Sequence, residues 1–158
     1  MNKSMHLSEH FTLGEVTKTS VKTAGENIPS HVAIENLKNL CENWLEELRE
    51  NYNLIYEGVE DCKGDEPIII TSGYRSPEVN KAVGGSTTSN HLTGCAVDIR
   101  CVGIEQAIRY AAILLDIADG TKRDYDELFI ERSKQGRYWI HFAVRPKENR
   151  RKTAFIQT

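Results

Sequence analysis

A regular stripe of apolar side chains in the first third of the chain is the feature that most constrains the fold. The stripe follows Ser30 at the three- and four-residue spacing of an amphipathic helix and consists of Leu37, Leu40, Cys41, Trp44, Leu45 and Leu48. Ser30 is a suitable N-cap, because its hydroxyl can accept a hydrogen bond from a free amide of the first turn. The sequence therefore predicts a helix from about Ser30 to Asn51 whose apolar face belongs to the core.

Short β-branched and aromatic runs predict a sheet for this helix to pack against. Four runs are predicted strands: residues 67–71, 96–99, 127–131 and 138–144. The last two are joined by a short connection that contains Gly136, as in a β-hairpin. Two further helices are expected, one starting at Ser76-Pro77 and one over residues 104–117. The fold class predicted from these elements is α+β, a small antiparallel sheet with helices packed on one side.

Length and composition indicate one globular domain. The chain has 158 residues, of which 39% are hydrophobic and 27% charged, which is ordinary for a soluble domain with a core. We expect a single domain over residues 1–158, with an ordered N-terminal arm at 1–30 and a basic, solvated C-terminal tail at 146–158. We also expect a monomer.

Several classes of function are excluded or disfavoured by composition. The net charge of -3 argues against general binding to nucleic acid. No stretch approaches the roughly 20 apolar residues of a membrane span, and no signal sequence is recognisable, which predicts a cytoplasmic protein unless another route releases it. The four cysteines contain no C-x-x-C pair, so we expect reduced thiols rather than a thiolate zinc site.

Two histidines and one aspartate form the candidate metal-binding set. His91 lies in a polar loop, Asp98 follows in a predicted strand, and His141 lies in the last predicted strand. Two imidazoles and a carboxylate can hold a catalytic zinc with its fourth position open, although the same set also suits non-haem iron. By spacing alone the signal is weak, because a histidine in a strand is more often a core side chain and an aspartate can be a structural acceptor.

The residues around this set resemble peptidase family M15, and most closely its subfamily A. Three motifs carry the resemblance: Ser72-Gly73-Tyr74-Arg75-Ser76, Ser89-x-His91-x-x-Gly94-x-Ala96-x-Asp98, and Trp139-Ile140-His141. It extends from about residue 8 to residue 145. The family comprises zinc D-Ala-D-Ala carboxypeptidases and peptidoglycan endopeptidases, and shares its fold with the Hedgehog signalling domain. The resemblance implies Zn²⁺ as cofactor, His91, Asp98 and His141 as its ligands, and peptidoglycan peptides as substrate.

Arg75 and Ser89 are the candidate substrate-binding residues. Arg75 follows a sharp turn after a strand, where its guanidinium could bind a peptide carboxylate or stabilise a developing oxyanion. The competing interpretation is a surface arginine paired with Glu78. Ser89 is expected to bind substrate or to orient the loop, and a hydrogen bond back to the loop backbone is nearly as plausible.

The general base is harder to assign, because the chain departs from the family pattern. Several members of the family carry an acid three residues before the last histidine, or a histidine two before it, where this chain has Tyr138 and Trp139. Glu131 and Glu127 lie on one face of the neighbouring predicted strand. If Glu131 lies opposite Trp139, Phe129 faces His141; a two-residue shift in register would bring Glu127 or Glu131 nearer the metal. We choose Glu131 because an acid that ends this strand resembles the subfamily A pattern.

The predicted function is therefore a zinc metallopeptidase that hydrolyses stem or cross-link peptides of peptidoglycan. A chain without a signal sequence would fit a phage or prophage lysis enzyme, reaching the wall by a holin-type route or within a phage particle. The alternative is a catalytically inactive zinc-bearing module of the same fold that binds the cell wall or has a structural role.

Overall fold

A five-stranded sheet lies at the centre of the structure, a computed structural model that describes residues 1–158. In spatial order the strands are β1 (Ile70–Ser72), β2 (Ala96–Cys101), β4 (Tyr138–Ala143), β3 (Glu127–Arg132) and β5 (Lys152–Gln157). The first four pair antiparallel, and β5 runs parallel to β3. The predicted α+β class and the β3–β4 hairpin are confirmed, whereas the sheet is mixed rather than purely antiparallel.

The predicted first helix is a longer rod with a π-helical turn in its middle. It consists of α1 (His31–Leu40), a π-helical segment (Cys41–Leu45) and α2 (Glu46–Tyr56). The Ser30 hydroxyl accepts a hydrogen bond from the Ala33 amide at 3.2 Å, which confirms the predicted N-cap. Two more helices are present, α3 (Pro77–Ala82), capped by Ser76, and α4 (Ile104–Thr121). All six residues of the predicted apolar stripe are buried.

The two faces of the sheet differ in composition and packing. On one face, apolar side chains of β2, β3 and β4 are buried against the helices, and the Phe142 ring lies 5.1 Å from that of Trp44. The opposite face carries polar and aromatic side chains in three cross-strand rows. These rows, in the order β2–β4–β3, are Ala96–Ala143–Glu127, Asp98–His141–Phe129 and Arg100–Trp139–Glu131. A glutamate therefore lies on each side of the central row, which contains two of the predicted metal ligands.

The N-terminal arm fixes the turn that carries Arg75. Side chains of the arm, including Phe11 and Leu13, are buried in the core. The Val16 carbonyl accepts a hydrogen bond from the Tyr74 amide at 2.8 Å, and the Asn27 side chain donates to the Tyr74 carbonyl at 2.9 Å. The arm thus braces the β1–α3 turn from outside. None of the helices combines the length and the apolar character that a membrane crossing requires.

The C-terminal segment 146–158, predicted to be a basic, solvated tail, contains the strand β5, most of whose residues are exposed. Its basic residues have acidic partners in the segment before β3. The buried carboxylate of Asp126 accepts hydrogen bonds from the Arg150 guanidinium at 2.7 and 2.9 Å, and Arg145 lies 3.2 Å away. Arg151 pairs with Asp124 at 2.6 Å. These ion pairs attach the segment before β5 to the segment before β3, and β5 then pairs with β3 along the edge of the sheet.

Asp126→Asn should lower stability and reduce its dependence on acid pH. Burial opposes the charge of Asp126, but the bonds from Arg150 and Asn90 outweigh it and lower its pKa from 3.8 to about 2. Because the folded pKa lies below the unfolded one, this contribution is present at neutral pH and is lost as the pH falls from 3.8 to about 2. We expect a loss of roughly 1–2 kcal/mol at neutral pH in chemical denaturation, after allowance for solvent screening.

The exposed Asp119 is the matched control, since Asp119→Asn removes an equal charge that pairs only with Arg151. It should change the unfolding free energy by less than about 0.5 kcal/mol. Equal stability of Asp126→Asn and the parent across the acid range would contradict the role assigned to Asp126.

Candidate metal centre and active site

Three separate elements bring the predicted ligands together. His91 comes from a 3-10 turn (Asn90–Thr93), Asp98 from β2 and His141 from β4. Asp98 Oδ1 lies 3.3 Å from His91 Nε2 and 3.1 Å from His141 Nδ1, and one donor atom from each residue falls within 4.8 Å of the others. All three side chains are buried. The structure thus makes one cluster of residues that are 50 positions apart in sequence.

The backbone around His91 determines which ring nitrogen faces the cluster. His91 Nδ1 lies 2.7 Å from the Gly73 carbonyl, so it carries the proton and donates it, leaving the Nε2 lone pair, next to Asp98 Oδ1, available to a metal ion. The Arg75 amide in turn donates to the His91 carbonyl at 3.0 Å. Gly94 ends the turn in a left-handed conformation (φ 73°), and a Cβ there would collide with the Ala33 carbonyl. A glycine is therefore required at this position of the motif.

His141 is held from the other side by Glu127. Its Nε2 lies 3.0 Å from Glu127 Oε1, while its Nδ1 faces Asp98. The same Glu127 oxygen accepts a hydrogen bond from Asn90 Nδ2 at 2.6 Å. The Phe129 ring stacks on the imidazole, with centroids 5.3 Å apart and planes at 16°. A carboxylate that accepts from the outer nitrogen of a histidine is the usual partner of a metal-ligating imidazole.

The cluster is strongly polarised. Burial opposes a charge on Asp98, yet His91 and His141 outweigh it and hold the pKa of that carboxyl far below its ordinary value. Burial likewise opposes protonation of His141, but Asp98 and Glu127 raise its pKa to about 9. The hydrogen bond from His141, against the effect of burial, lowers the pKa of Glu127. Two anionic carboxylates thus flank His141, an environment that favours a cation.

Arg75 points into the cluster. Its Nη2 donates to Asp98 Oδ2 at 3.2 Å and its Nε donates to Ser72 Oγ at 3.0 Å. The alternative pairing with Glu78 is absent, and Glu78 instead accepts a hydrogen bond from the Gly25 amide at 3.1 Å. The guanidinium therefore lies beside the predicted metal ligands, and hydrogen bonds at two of its nitrogens fix its position.

Glu131 lies across the sheet from Trp139, in the register that the sequence predicted. Its Oε2 accepts a hydrogen bond from Trp139 Nε1 at 3.1 Å, and Phe129 faces His141. Burial, helped by the charge of Asp98, raises the pKa of Glu131 above its ordinary value. Glu131 and Glu127 thus have different partners, since Glu127 is bonded to His141 and Glu131 is not.

These groups line one open cavity of about 450 Å³. Ser89 lines it too, but its hydroxyl caps the 3-10 turn by accepting a hydrogen bond from the His91 amide at 3.2 Å. Sequence reasoning missed Asn90, whose amide donates to both Asp126 and Glu127 and whose oxygen accepts from Arg145. Its position directly before His91 in the motif was the signal available.

The donor set fits a divalent metal ion. Tetrahedral zinc with nitrogen and oxygen ligands at about 2.0–2.2 Å separates its ligand atoms by roughly 3.3 Å, close to the spacings around Asp98 Oδ1. Two imidazole nitrogens and one carboxylate are ligands that zinc accepts, and the cavity leaves room for a further group.

Comparison with known families agrees with this geometry. The sequence matches the family model described as Peptidase M15 over residues 9–122, which is well over half of the chain. This protein belongs to peptidase family M15, a family of metallopeptidases. The matched residues include Arg75, His91 and Asp98, whereas His141 and both glutamates lie beyond them and are brought to the site by the β3–β4 hairpin. A search of curated proteins found no match.

The cluster predicts one divalent ion per chain. His91→Ala and Asp98→Ala should each lower the affinity for zinc by more than about a hundredfold, because each removes a direct ligand. Competition with a chromophoric chelator and elemental analysis measure both affinity and stoichiometry. His31→Ala, at an exposed histidine of α1, is the control and should bind zinc as the parent does. Full zinc occupancy in the His91 and Asp98 variants would contradict the ligand assignment.

Proposed function

We propose that the protein is a zinc metallopeptidase that hydrolyses stem or cross-link peptides of peptidoglycan. The observation that carries this proposal is the convergence of His91, Asp98 and His141 in a cavity that also holds an arginine and two glutamates. Membership of family M15 supports peptide hydrolysis. The choice of peptidoglycan as substrate follows from the sequence motifs rather than from the shape of the cavity.

His91 Nε2, Asp98 Oδ1 and His141 Nδ1 are the atoms that would hold the zinc ion. Bound there, zinc would acidify water and polarise the scissile carbonyl group. The hydrogen bond of His91 to Gly73 and that of His141 to Glu127 already orient both rings for this role. We therefore assign Glu127 as a positioning residue for His141.

Glu131 is the proposed general base. Of the carboxylates that line the cavity, Glu131 is the one without a hydrogen bond to a histidine. Its raised pKa suits a group that must take up a proton and release it again. In this scheme water adds to the carbonyl carbon and gives a proton to Glu131. The carbon–nitrogen bond then breaks, and Glu131 returns the proton to the leaving amine.

Arg75 is the proposed stabiliser of negative charge. Its guanidinium is fixed by Ser72 and Asp98 and has further donors free to reach a substrate oxygen. A preorganised cation beside the reacting carbonyl stabilises the oxyanion more than the substrate, so its contribution falls on catalytic efficiency. Ser89 remains a candidate substrate contact at the rim, in addition to its role as a turn cap.

A second candidate is an inactive zinc-bearing module that binds the cell wall. The observation in its favour is the absence of an acid from β4, where Tyr138 and Trp139 precede His141. Retention on insoluble peptidoglycan without release of any product would support it. A role in phage lysis, and delivery through a holin-type route, likewise remain predictions from the sequence.

Exchange of the two glutamates for glutamine separates their roles. Glu131→Gln should keep zinc and lose activity on muropeptides by roughly two to four orders of magnitude, because it removes the basic carboxylate while preserving size. Glu127→Gln should instead weaken zinc binding by about 10–100-fold, because it loosens the orientation of His141. Steady-state kinetics at saturating zinc, paired with a zinc titration, measure both effects. A fully active Glu131→Gln with a dead Glu127→Gln would move the base to Glu127.

Arg75→Ala should retain zinc while lowering kcat/KM by about a hundredfold or more. Arg75→Lys keeps the charge but not the two-nitrogen attachment to Ser72 and Asp98, and should recover only part of the loss. Circular dichroism and zinc content confirm that each variant is folded and loaded. Parental kinetics in Arg75→Ala would show that the guanidinium has no part in the reaction.

A further inference from the structure

A second cavity, of about 510 Å³, adjoins the metal cluster on the β1–β2–β4 side of the site. Asp98 and Trp139 line both cavities, so the two cavities adjoin at these residues. The second cavity is bounded by Thr71, Cys101, Val102 and the hairpin residues Gly136 to Tyr138. A substrate chain that crosses the ligand cluster could therefore extend into it.

Two arginines without partners face this second cavity. Arg100 lies on β2 beside Trp139, and Arg137 immediately precedes β4. They are the only arginines of the chain whose guanidinium has no hydrogen bond, ion pair or aromatic ring as partner. Those of the main cavity are already committed, Arg75 to Asp98 and both Arg145 and Arg150 to Asp126. The second cavity has no acid of its own apart from Asp98, which is shared with the metal set.

We propose that this second cavity is a subsite for a carboxylate of the peptide substrate, bound by Arg100 and Arg137. A guanidinium recognises a carboxylate through paired hydrogen bonds, and Trp139 supplies an apolar wall for the adjoining carbon chain. Arg100 follows Asp98 by two residues on the strand, a distance of about 7 Å, which corresponds to about two residues of an extended peptide. The ligand class is thus a peptide with a free carboxylate one or two residues from the scissile bond.

The proposed subsite rests on the proposed peptidase function, and it specifies which substrates the active site would prefer. It also predicts that substrate occupies both sides of the metal cluster, as a chain cut internally or near a carboxylate-bearing residue would. Because both arginines are exposed to solvent, the selection should weaken as the salt concentration rises.

The test uses two synthetic stem peptides that differ in one group, which lies one or two residues from the scissile bond. This group is a free carboxylate in one peptide and a carboxamide in the other. The measured quantity is the ratio of their kcat/KM values. The parent should prefer the carboxylate, and Arg100→Ala and Arg137→Ala should each reduce the ratio roughly fivefold, with the double variant near a ratio of one. Lys134→Ala, an exposed cation of the same hairpin that lines neither cavity, is the matched control and should keep the parental ratio.

An unchanged ratio in the double variant, or a parent that does not distinguish the peptides, would overturn the subsite while leaving the peptidase function standing. If the zinc-loaded parent cleaves neither peptide, the proposed function fails instead. The subsite is then decided by calorimetric titration of the same two peptides. Tighter binding of the carboxylate form by the parent, lost in the double variant, supports the subsite, and equal binding of both forms overturns it.

Discussion

The site depends on one buried charge, the carboxylate of Asp98. A buried carboxylate is costly unless it is paired and hydrogen-bonded, and Asp98 meets this need through His91, His141 and Arg75. Each partner comes from a different element, so the 3-10 turn, the hairpin strand β4 and the β1–α3 turn must all converge on β2. The N-terminal arm and the Asp126 network keep these elements in place from the periphery. A metal ion held between His91, Asp98 and His141 would likewise stabilise the negative charge of Asp98.

Local patterns in the sequence were enough to predict much of the fold, but not the pairing of distant segments. The apolar stripe behind Ser30 and the hairpin around Gly136 are short-range signals, and both are confirmed. The C-terminal strand β5 was missed because the arginines just before it, Arg150 and Arg151, suggest a solvent-exposed tail when they are considered alone. Their partners, Asp119, Asp124 and Asp126, lie 24 to 32 positions earlier, so these ion pairs are visible only in three dimensions. The π-helical turn at Cys41–Leu45 has no comparable signature in spacing.

For the candidate site, the sequence predicted which residues cluster together, but not the hydrogen bonds that orient each side chain. Placing His141 beside Asp98 required the β2–β4 register, which residue types alone do not determine. The hydrogen bonds that distinguish Glu127 from Glu131 depend on side-chain direction, so the sequence left both open as bases. In the structure Glu127 joins His141 to Asn90, and Glu131 bonds to Trp139. Asn90 was missed because, although it lies directly before His91 in the motif, an amide side chain is not a typical catalytic or metal-binding group.

We propose that this cluster catalyses the addition of water to a peptide bond of peptidoglycan. The most direct test digests purified peptidoglycan with the zinc-loaded protein in water labelled with heavy oxygen, and identifies the products by mass spectrometry. We expect new peptide ends that carry one heavy oxygen for each bond cut, and none above background with His141→Ala under the same conditions. Absence of labelled ends with the parent, or equal labelling by the parent and His141→Ala, would rule out hydrolysis by this cluster.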